Sequence, residues 1–101
     1  MIVYNITTNV NRNIHDLWLE WYRNEHIPEI MATRLFERFS LMRILDIDET
    51  EGYTYALQLF AENSLNYQQY LQSHAPALRE KSMKTWGDGF ISFRTTMEVI
   101  N

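Results

Sequence analysis

The chain has 101 residues, a net charge of −4 and no cysteine. This length fits one domain, the negative charge disfavours nucleic acid and anionic membranes as partners, and the lack of cysteine excludes disulfides and thiolate zinc sites. No stretch approaches the ~18 apolar residues of a membrane span. The first residues are typical of a strand rather than a signal peptide, so we expect a cytoplasmic protein.

Aromatic residues are unusually frequent, with three Trp, six Tyr and five Phe. A domain of this size buries only roughly 60–70% of the surface of its unfolded chain. Some of these rings must therefore face a cavity, a partner subunit or solvent.

The first quarter of the chain predicts a strand followed by a helix. Residues 2–10 are rich in β-branched side chains and alternate between two faces, which predicts a strand. Asn11 and Asn13 can start the next helix. Apolar side chains at helical spacing over residues 14–22 predict an amphipathic helix. Pro28 should end or kink it, because proline lacks an N–H and crowds the preceding turn.

The rest of the chain predicts a hairpin, a second helix and a last strand. Residues 36–47 alternate as a long strand, and the acidic segment 46–52 is typical of a hairpin loop. Residues 53–61 predict the returning strand. Ser64 can cap the second helix, and residues 90–100 predict the fourth strand.

One motif, Tyr-x-x-x-His-x-Pro, occurs twice at a separation of about half the chain. Its copies span residues 22–28 and 70–76. Such self-similarity predicts a single domain built from two similar halves, about 1–48 and 49–101. Together with the order β-α-β-β-α-β, it predicts an α+β, ferredoxin-like sandwich: an antiparallel sheet with both helices on one face.

The sheet face away from the helices should be an association surface. The third predicted strand carries apolar groups on both faces: Tyr53, Ala56, Leu57, Leu59 and Phe60. A large exposed apolar face normally marks an interaction site. We therefore predict a two-fold homodimer in which two sheets face each other.

The repeated tyrosines and histidines are the first candidates for a pocket. Tyr22 and His26 lie one helical turn apart, as do Tyr70 and His74. Such pairs can polarise a phenol or carbonyl and move a proton. Alternatively, each imidazole satisfies backbone carbonyls freed by the following proline, which a symmetric pair favours. The third histidine, His15, is expected at the surface.

A metal site is not predicted. Glu25, His26 and Glu29 could supply ligands at helical spacing, but the chain has neither a His-Glu-x-x-His motif nor a cysteine cluster. The acidic segment 46–50 lacks the glycine and the bidentate glutamate of a calcium loop.

Two tryptophans and two arginines complete the candidates. Trp18 and Trp21 could stack an aromatic ligand, although packing of the helix on the sheet is the stronger interpretation. Arg43 interrupts an apolar strand face, and a structural ion pair or an anchor for a carboxylate ligand explains it equally well. For Arg94 an ion pair is favoured, with Glu98 or with an acidic residue across the sheet.

Several motifs carry a resemblance to a known family. They are the opening Met1–Asn5, Trp18-x-x-Trp21, Glu25–Glu29, His74–Arg79 and Phe93–Thr95. With these, nearly the whole chain resembles a bacterial family of domains of unknown function of about 100 residues, within the dimeric α+β-barrel superfamily. The resemblance implies the fold and a homodimer, and it brings no established activity.

The wider superfamily includes cofactor-independent monooxygenases, haem-degrading enzymes, lactone isomerases and stress-responsive barrels, which place a cavity between helices and sheet. Such fold-level analogy guides chemistry weakly. The haem-degrading branch uses an Asn, a Trp and a His, for which Asn5 and His74 could stand in. The tryptophan is missing, since Asn66, Tyr67 and Tyr70 occupy that region. We therefore predict no cofactor.

Two functions remain open. The first is a small-molecule binding protein or cofactor-free enzyme acting on an aromatic or carbonyl compound in the helix–sheet cavity. Its candidate catalytic residues are Tyr22, His26, Arg43, Tyr55 and His74, with Trp18 and Trp21 as ligand-binding walls. The alternative is a non-catalytic interaction module whose homodimer is the functional unit. A cavity of roughly 300 Å³ or more with convergent polar groups would distinguish the first from the second.

Overall fold

The computed structural model describes all 101 residues, and its four strands form one sheet. The strands are β1 (Ile2–Asn11), β2 (Arg38–Arg43), β3 (Gly52–Ala61) and β4 (Phe90–Glu98). Their order across the sheet is β2-β3-β1-β4, and every neighbouring pair is antiparallel.

Two helical connections lie between the strands. They comprise α1 (His15–Trp21), a π-helical turn (Tyr22–His26) and α2 (Ile27–Met31) before β2, and α3 (Ser64–Ser73) and α4 (Ala75–Trp86) before β4. This order of elements and this sheet order define the ferredoxin-like α+β fold that the sequence predicts.

The core lies between the helices and one face of the sheet. Because side chains alternate along a strand, Tyr4 and Ile6 of β1 point to the same face. Their partners across the β1–β3 ladder are Leu59 and Leu57. All four side chains are buried, and they belong to one apolar cluster that also includes Trp18.

The opposite side of the sheet, which we call the open face, exposes fewer apolar side chains of β3 than the sequence predicts. Leu57 is fully buried on the helix side, and Phe60 is covered by the Arg38 guanidinium, 3.6 Å from its ring centroid. The exposed apolar side chains of this face lie on the two edge strands: Ile91 is 57% and Phe93 is 64% exposed on β4, and Met42 is 43% exposed on β2.

Strand β2 is shorter than the predicted strand over residues 36–47. Phe36 precedes it and is buried in the core. The Ile44 N–H still donates to the Thr54 carbonyl at 2.9 Å, but the strand does not continue through Asp46, whose φ of 62° lies outside the β region. In the loop that follows, the Asp48 carboxylate accepts a hydrogen bond of 2.9 Å from the Thr50 N–H.

Both predicted helix starts need correction. The residue before α1 is Ile14, and no side chain caps this helix, so neither Asn11 nor Asn13 has the predicted role. Helix α3 is capped by Asn63, whose side-chain oxygen accepts a hydrogen bond of 2.8 Å from the Asn66 N–H. Ser64, the predicted cap, is the first residue of the helix.

The repeated motif marks a junction between two helical segments in each half of the chain. Pro28 and Pro76 are the second residues of α2 and α4. In the first turn of a helix the backbone N–H groups have no partner within that helix, so a proline loses no hydrogen bond there. The two junctions differ in the backbone that precedes them. The first passes through the π-helical turn, whereas His74 leaves helical geometry, with φ −126° and ψ −39°.

Candidate functional site

A cavity of about 410 Å³ lies between the helices and the helix side of β1 and β4. Its walls are formed by Tyr4, Ile6, Thr8, Trp18, Trp21, Tyr22, His26, Tyr70, Ala75, Leu78, Arg79, Ser82, Met83, Phe90, Ile91, Ser92 and Arg94. The exposed side chains of Arg79, Met83 and Arg94 lie where the cavity meets solvent. The volume exceeds that required for a small-molecule site.

The π-helical turn places His26 against two aromatic rings. The Ile27 N–H donates to the carbonyl of Tyr22, five residues earlier, which widens the turn. The His26 ring stacks on Trp21 at 4.8 Å and on Tyr22 at 5.2 Å between centroids. Ordinary helical spacing predicts the contact with Tyr22. It does not predict the contact with Trp21, five residues away.

His26 is a buried, neutral imidazole. Burial lowers its pKa to about 4, because the charged form loses its hydration there. Its Nδ1 atom is buried without a hydrogen-bond partner. The alternative in which this ring satisfies backbone carbonyls therefore fails for Nδ1.

Three buried tyrosines line the same cavity. Burial raises the pKa of the Tyr22 phenol far above its usual value and that of Tyr70 to about 12. Both phenols therefore stay protonated and able to donate a hydrogen bond. The Tyr4 hydroxyl accepts a hydrogen bond of 2.8 Å from Arg79 Nη2.

Trp18 and Trp21 both line the cavity, so the two interpretations of these rings are compatible. Trp18 is buried in the core and stacks on Tyr22 at 4.3 Å. Trp21 is partly buried and meets the Trp86 ring edge-on at 5.7 Å. Each ring thus packs the helix and presents a surface to the cavity.

Arg94 lines the cavity, whereas the sequence favours an ion pair for it. It stands opposite Ile6 in the β1–β4 ladder, which places it on the helix side of the sheet. None of the ion pairs in the structure includes Arg94, so no carboxylate pairs with its guanidinium. One register position away, the Thr8 and Ser92 hydroxyls are hydrogen-bonded at 2.9 Å. Strand alternation places Ser92 and Arg94 together, and this signal was available from the sequence.

Arg43 lies outside the cavity and has a structural partner. Its Nη2 and Nε atoms donate to the two carboxylate oxygens of Glu49 at 2.6 and 3.0 Å. The guanidinium also lies 4.9 Å from the centroid of the Tyr53 ring. Of the two interpretations of Arg43, the structure supports the ion pair and not the ligand anchor.

Tyr55 and His74 also lie apart from the cavity. The Tyr55 hydroxyl is hydrogen-bonded to His15 Nε2 at 2.5 Å. His15 is therefore not the expected surface residue, since its side chain is 14% exposed and its ring lies 4.2 Å from Tyr53. His74 is partly buried and stacks at 6.2 Å on Tyr70, which takes the cavity position instead.

Two other observations concern metal ligands and membrane-spanning helices. No group of three or more His, Cys, Asp or Glu side chains is placed to hold a metal ion. None of the helices combines the length and the apolar character that crossing a membrane requires.

Residues 1–100 match the family described as "Domain of unknown function (DUF4286)". The chain belongs to this family. No protein with curated annotation matches the sequence significantly.

Solved structures with the same fold are distant in sequence. An ethyl tert-butyl ether D (EthD) family protein from Bacillus halodurans C-125 has a TM-score of 0.71 at 18% identity, with 99% of this chain and 100% of that chain covered. A dimeric ferredoxin-like protein from an uncultured marine organism has a TM-score of 0.69 at 10% identity, covering 99% and 95%. SnoaB, a cofactor-independent oxygenase from Streptomyces nogalater, has a TM-score of 0.65 at 8% identity, covering 99% and 94%. At these identities the likenesses concern the fold, a ferredoxin-like α+β fold.

Proposed function

We propose that this protein binds a small aromatic or carbonyl compound in the helix–sheet cavity, without a cofactor. The observation that carries the proposal is this cavity of about 410 Å³, whose mostly apolar walls include the imidazole of His26. Trp21 and Tyr22 beside it offer flat apolar surfaces to an aromatic ring.

The protonation states favour binding and polarisation over proton transfer. An imidazole with a pKa of about 4 is a weak base at neutral pH, and the Tyr22 phenol, whose pKa is raised, is a weak acid. A general base works best when its pKa lies near the working pH. These two groups therefore suit hydrogen bonds that orient a ligand and polarise its carbonyl.

The comparisons add limited support to this proposal. SnoaB, with the same fold, is described as a cofactor-independent oxygenase. At 8% identity this likeness concerns the fold, so the proposal rests on the cavity.

We further propose that the protein is a homodimer joined through the open face. Ile91 and Phe93 form an exposed apolar pair on β4, and proteins of the same fold are described as dimeric. Exposed apolar side chains of this kind favour burial against a second surface. The same observation supports the alternative function, an interaction module whose functional unit is the homodimer.

Titration with 4-hydroxyacetophenone tests the cavity. It offers a ring, a carbonyl and a phenol, and we expect saturable heat in isothermal titration calorimetry. His26→Gln should weaken binding by roughly fivefold, since one hydrogen bond contributes about 1 kcal/mol. Tyr53→Phe, outside the cavity, should leave affinity unchanged. Binding that is indifferent to His26→Gln would contradict the proposed site, and absence of saturable binding would favour the interaction module.

A further inference from the structure

The charges around the cavity are opposite in sign to the charge of the chain. The protein has a net charge of −4. The cavity lining contains two arginines and no Asp, Glu or Lys. The arginines come from opposite walls, Arg79 from α4 and Arg94 from β4.

The two arginines differ in what they already bind. Arg79 donates to the Tyr4 hydroxyl, so part of its hydrogen-bonding capacity is used. Arg94 has no ion pair. Glu98 cannot provide one easily, because four residues along an extended strand separate the two backbones by about 13 Å.

The charge of Arg94 also reaches the polar groups of the cavity. Burial dominates the pKa values of Tyr22, His26 and Tyr70, and the Arg94 guanidinium acts on all three in addition. These groups and Arg94 line the same cavity. An anion bound at Arg94 would therefore share the cavity with their hydrogen-bonding atoms.

The walls restrict which anion fits. Most of the lining residues are hydrophobic, and they include the rings of Trp21 and Tyr22. An inorganic phosphate would leave these surfaces without contact. A planar organic anion would cover them while its charged group faces the arginine.

We propose that the ligand is a small aromatic carboxylate, held by Arg94 through its carboxylate and by Trp21 and Tyr22 through its ring. This inference rests on the proposed function and narrows its ligand class. Arg94 forms two parallel N–H···O bonds with the carboxylate, the geometry in which guanidinium binds this group best. Neutral His26 takes a hydrogen bond from, or gives one to, a further polar substituent.

Binding of 2-naphthoate and of its neutral isostere 2-naphthamide tests the inference. Calorimetric titrations use the wild type, Arg94→Gln, Arg94→Lys and the control Arg43→Gln. Wild type should bind naphthoate at least tenfold more tightly than naphthamide. Arg94→Gln should abolish that preference, and Arg94→Lys should retain part of it, since lysine keeps the charge without the bidentate geometry. Arg43→Gln should behave as wild type, because Arg43 pairs with Glu49 outside the cavity.

Each other result has a distinct meaning. Equal binding of the two probes by the wild type overturns the anion inference and leaves the cavity function intact. If neither probe binds, the inference fails, and the titration with 4-hydroxyacetophenone decides separately whether the proposed function fails with it. An equal loss of naphthoate affinity in Arg43→Gln and Arg94→Gln also overturns the inference, since it would report the overall charge. Thermal unfolding of each variant confirms that the comparison concerns folded protein.

Discussion

Burial of His26 couples the stability of the fold to pH. Its pKa is about 4 in the folded protein, against an ordinary value of 6.5. Between these values the unfolded chain binds a proton that the folded protein does not. The folded state is therefore favoured less as pH falls from about 6.5 towards 4, and the full loss is on the order of 3 kcal/mol.

We predict that His26→Gln removes this part of the acid sensitivity. Urea unfolding at pH 7 and pH 4.5 gives the free energy of unfolding at each pH. The wild type should lose about 2 kcal/mol more than His26→Gln over this interval. His74→Gln, which alters a partly buried imidazole outside the cavity, should retain the wild-type loss. Equal losses in the wild type and in His26→Gln would show that His26 is not the responsible group.

At the residue scale, part of the site was predictable from spacing. Helical periodicity brings Trp18, Tyr22 and His26 to one side of the first helix, and all three line the cavity. Residue spacing does not show which of Arg43 and Arg94 forms an ion pair and which lines the cavity. Each is a cation on a strand, and its role depends on whether a carboxylate is placed nearby by a distant segment. Glu49 meets Arg43, and no acidic group meets Arg94.

At the scale of elements, the repeated motif encodes a helical junction, and its two copies differ in backbone conformation. Proline at the second position of a segment is compatible with helix start in both halves. In the first half the π-helical turn keeps the chain helical and directs His26 into the cavity. In the second half His74 breaks the helix, and Tyr70 reaches the cavity instead. The likeness of the two copies thus predicts the junction but not the histidine's position.

Helix α3 offers a direct test of capping. Asn63→Ala should lower the free energy of unfolding by about 1 kcal/mol, because the Asn66 N–H loses its side-chain acceptor. Ser64→Ala is the matched control, since Ser64 is exposed in the first turn, and it should change stability by less than half as much. Urea unfolding of both variants measures the difference. A larger loss for Ser64→Ala would show that the cap lies where the sequence alone placed it.

At the scale of the whole molecule, the open face is the proposed dimer interface. We predict that Phe93→Glu converts a dimer to a monomer, because a carboxylate in a paired apolar surface is strongly disfavoured. Leu65→Glu is the control, since Leu65 is 76% exposed on α3, away from the sheet. Size-exclusion chromatography with light scattering measures the mass. A wild type that is monomeric, or a Phe93→Glu variant that stays dimeric, would exclude this face as the interface.

The sequence by itself determined the order of the elements, the ferredoxin-like topology and the junctions at Pro28 and Pro76. These follow from periodicity and from proline geometry, which act over a few residues. Tertiary structure alone decided how far the side chains of the open face are exposed, that His26 and not His74 enters the cavity, and that Arg94 is left without a partner. Such outcomes depend on strand register and on contacts between residues far apart in the chain, and no local pattern specifies them.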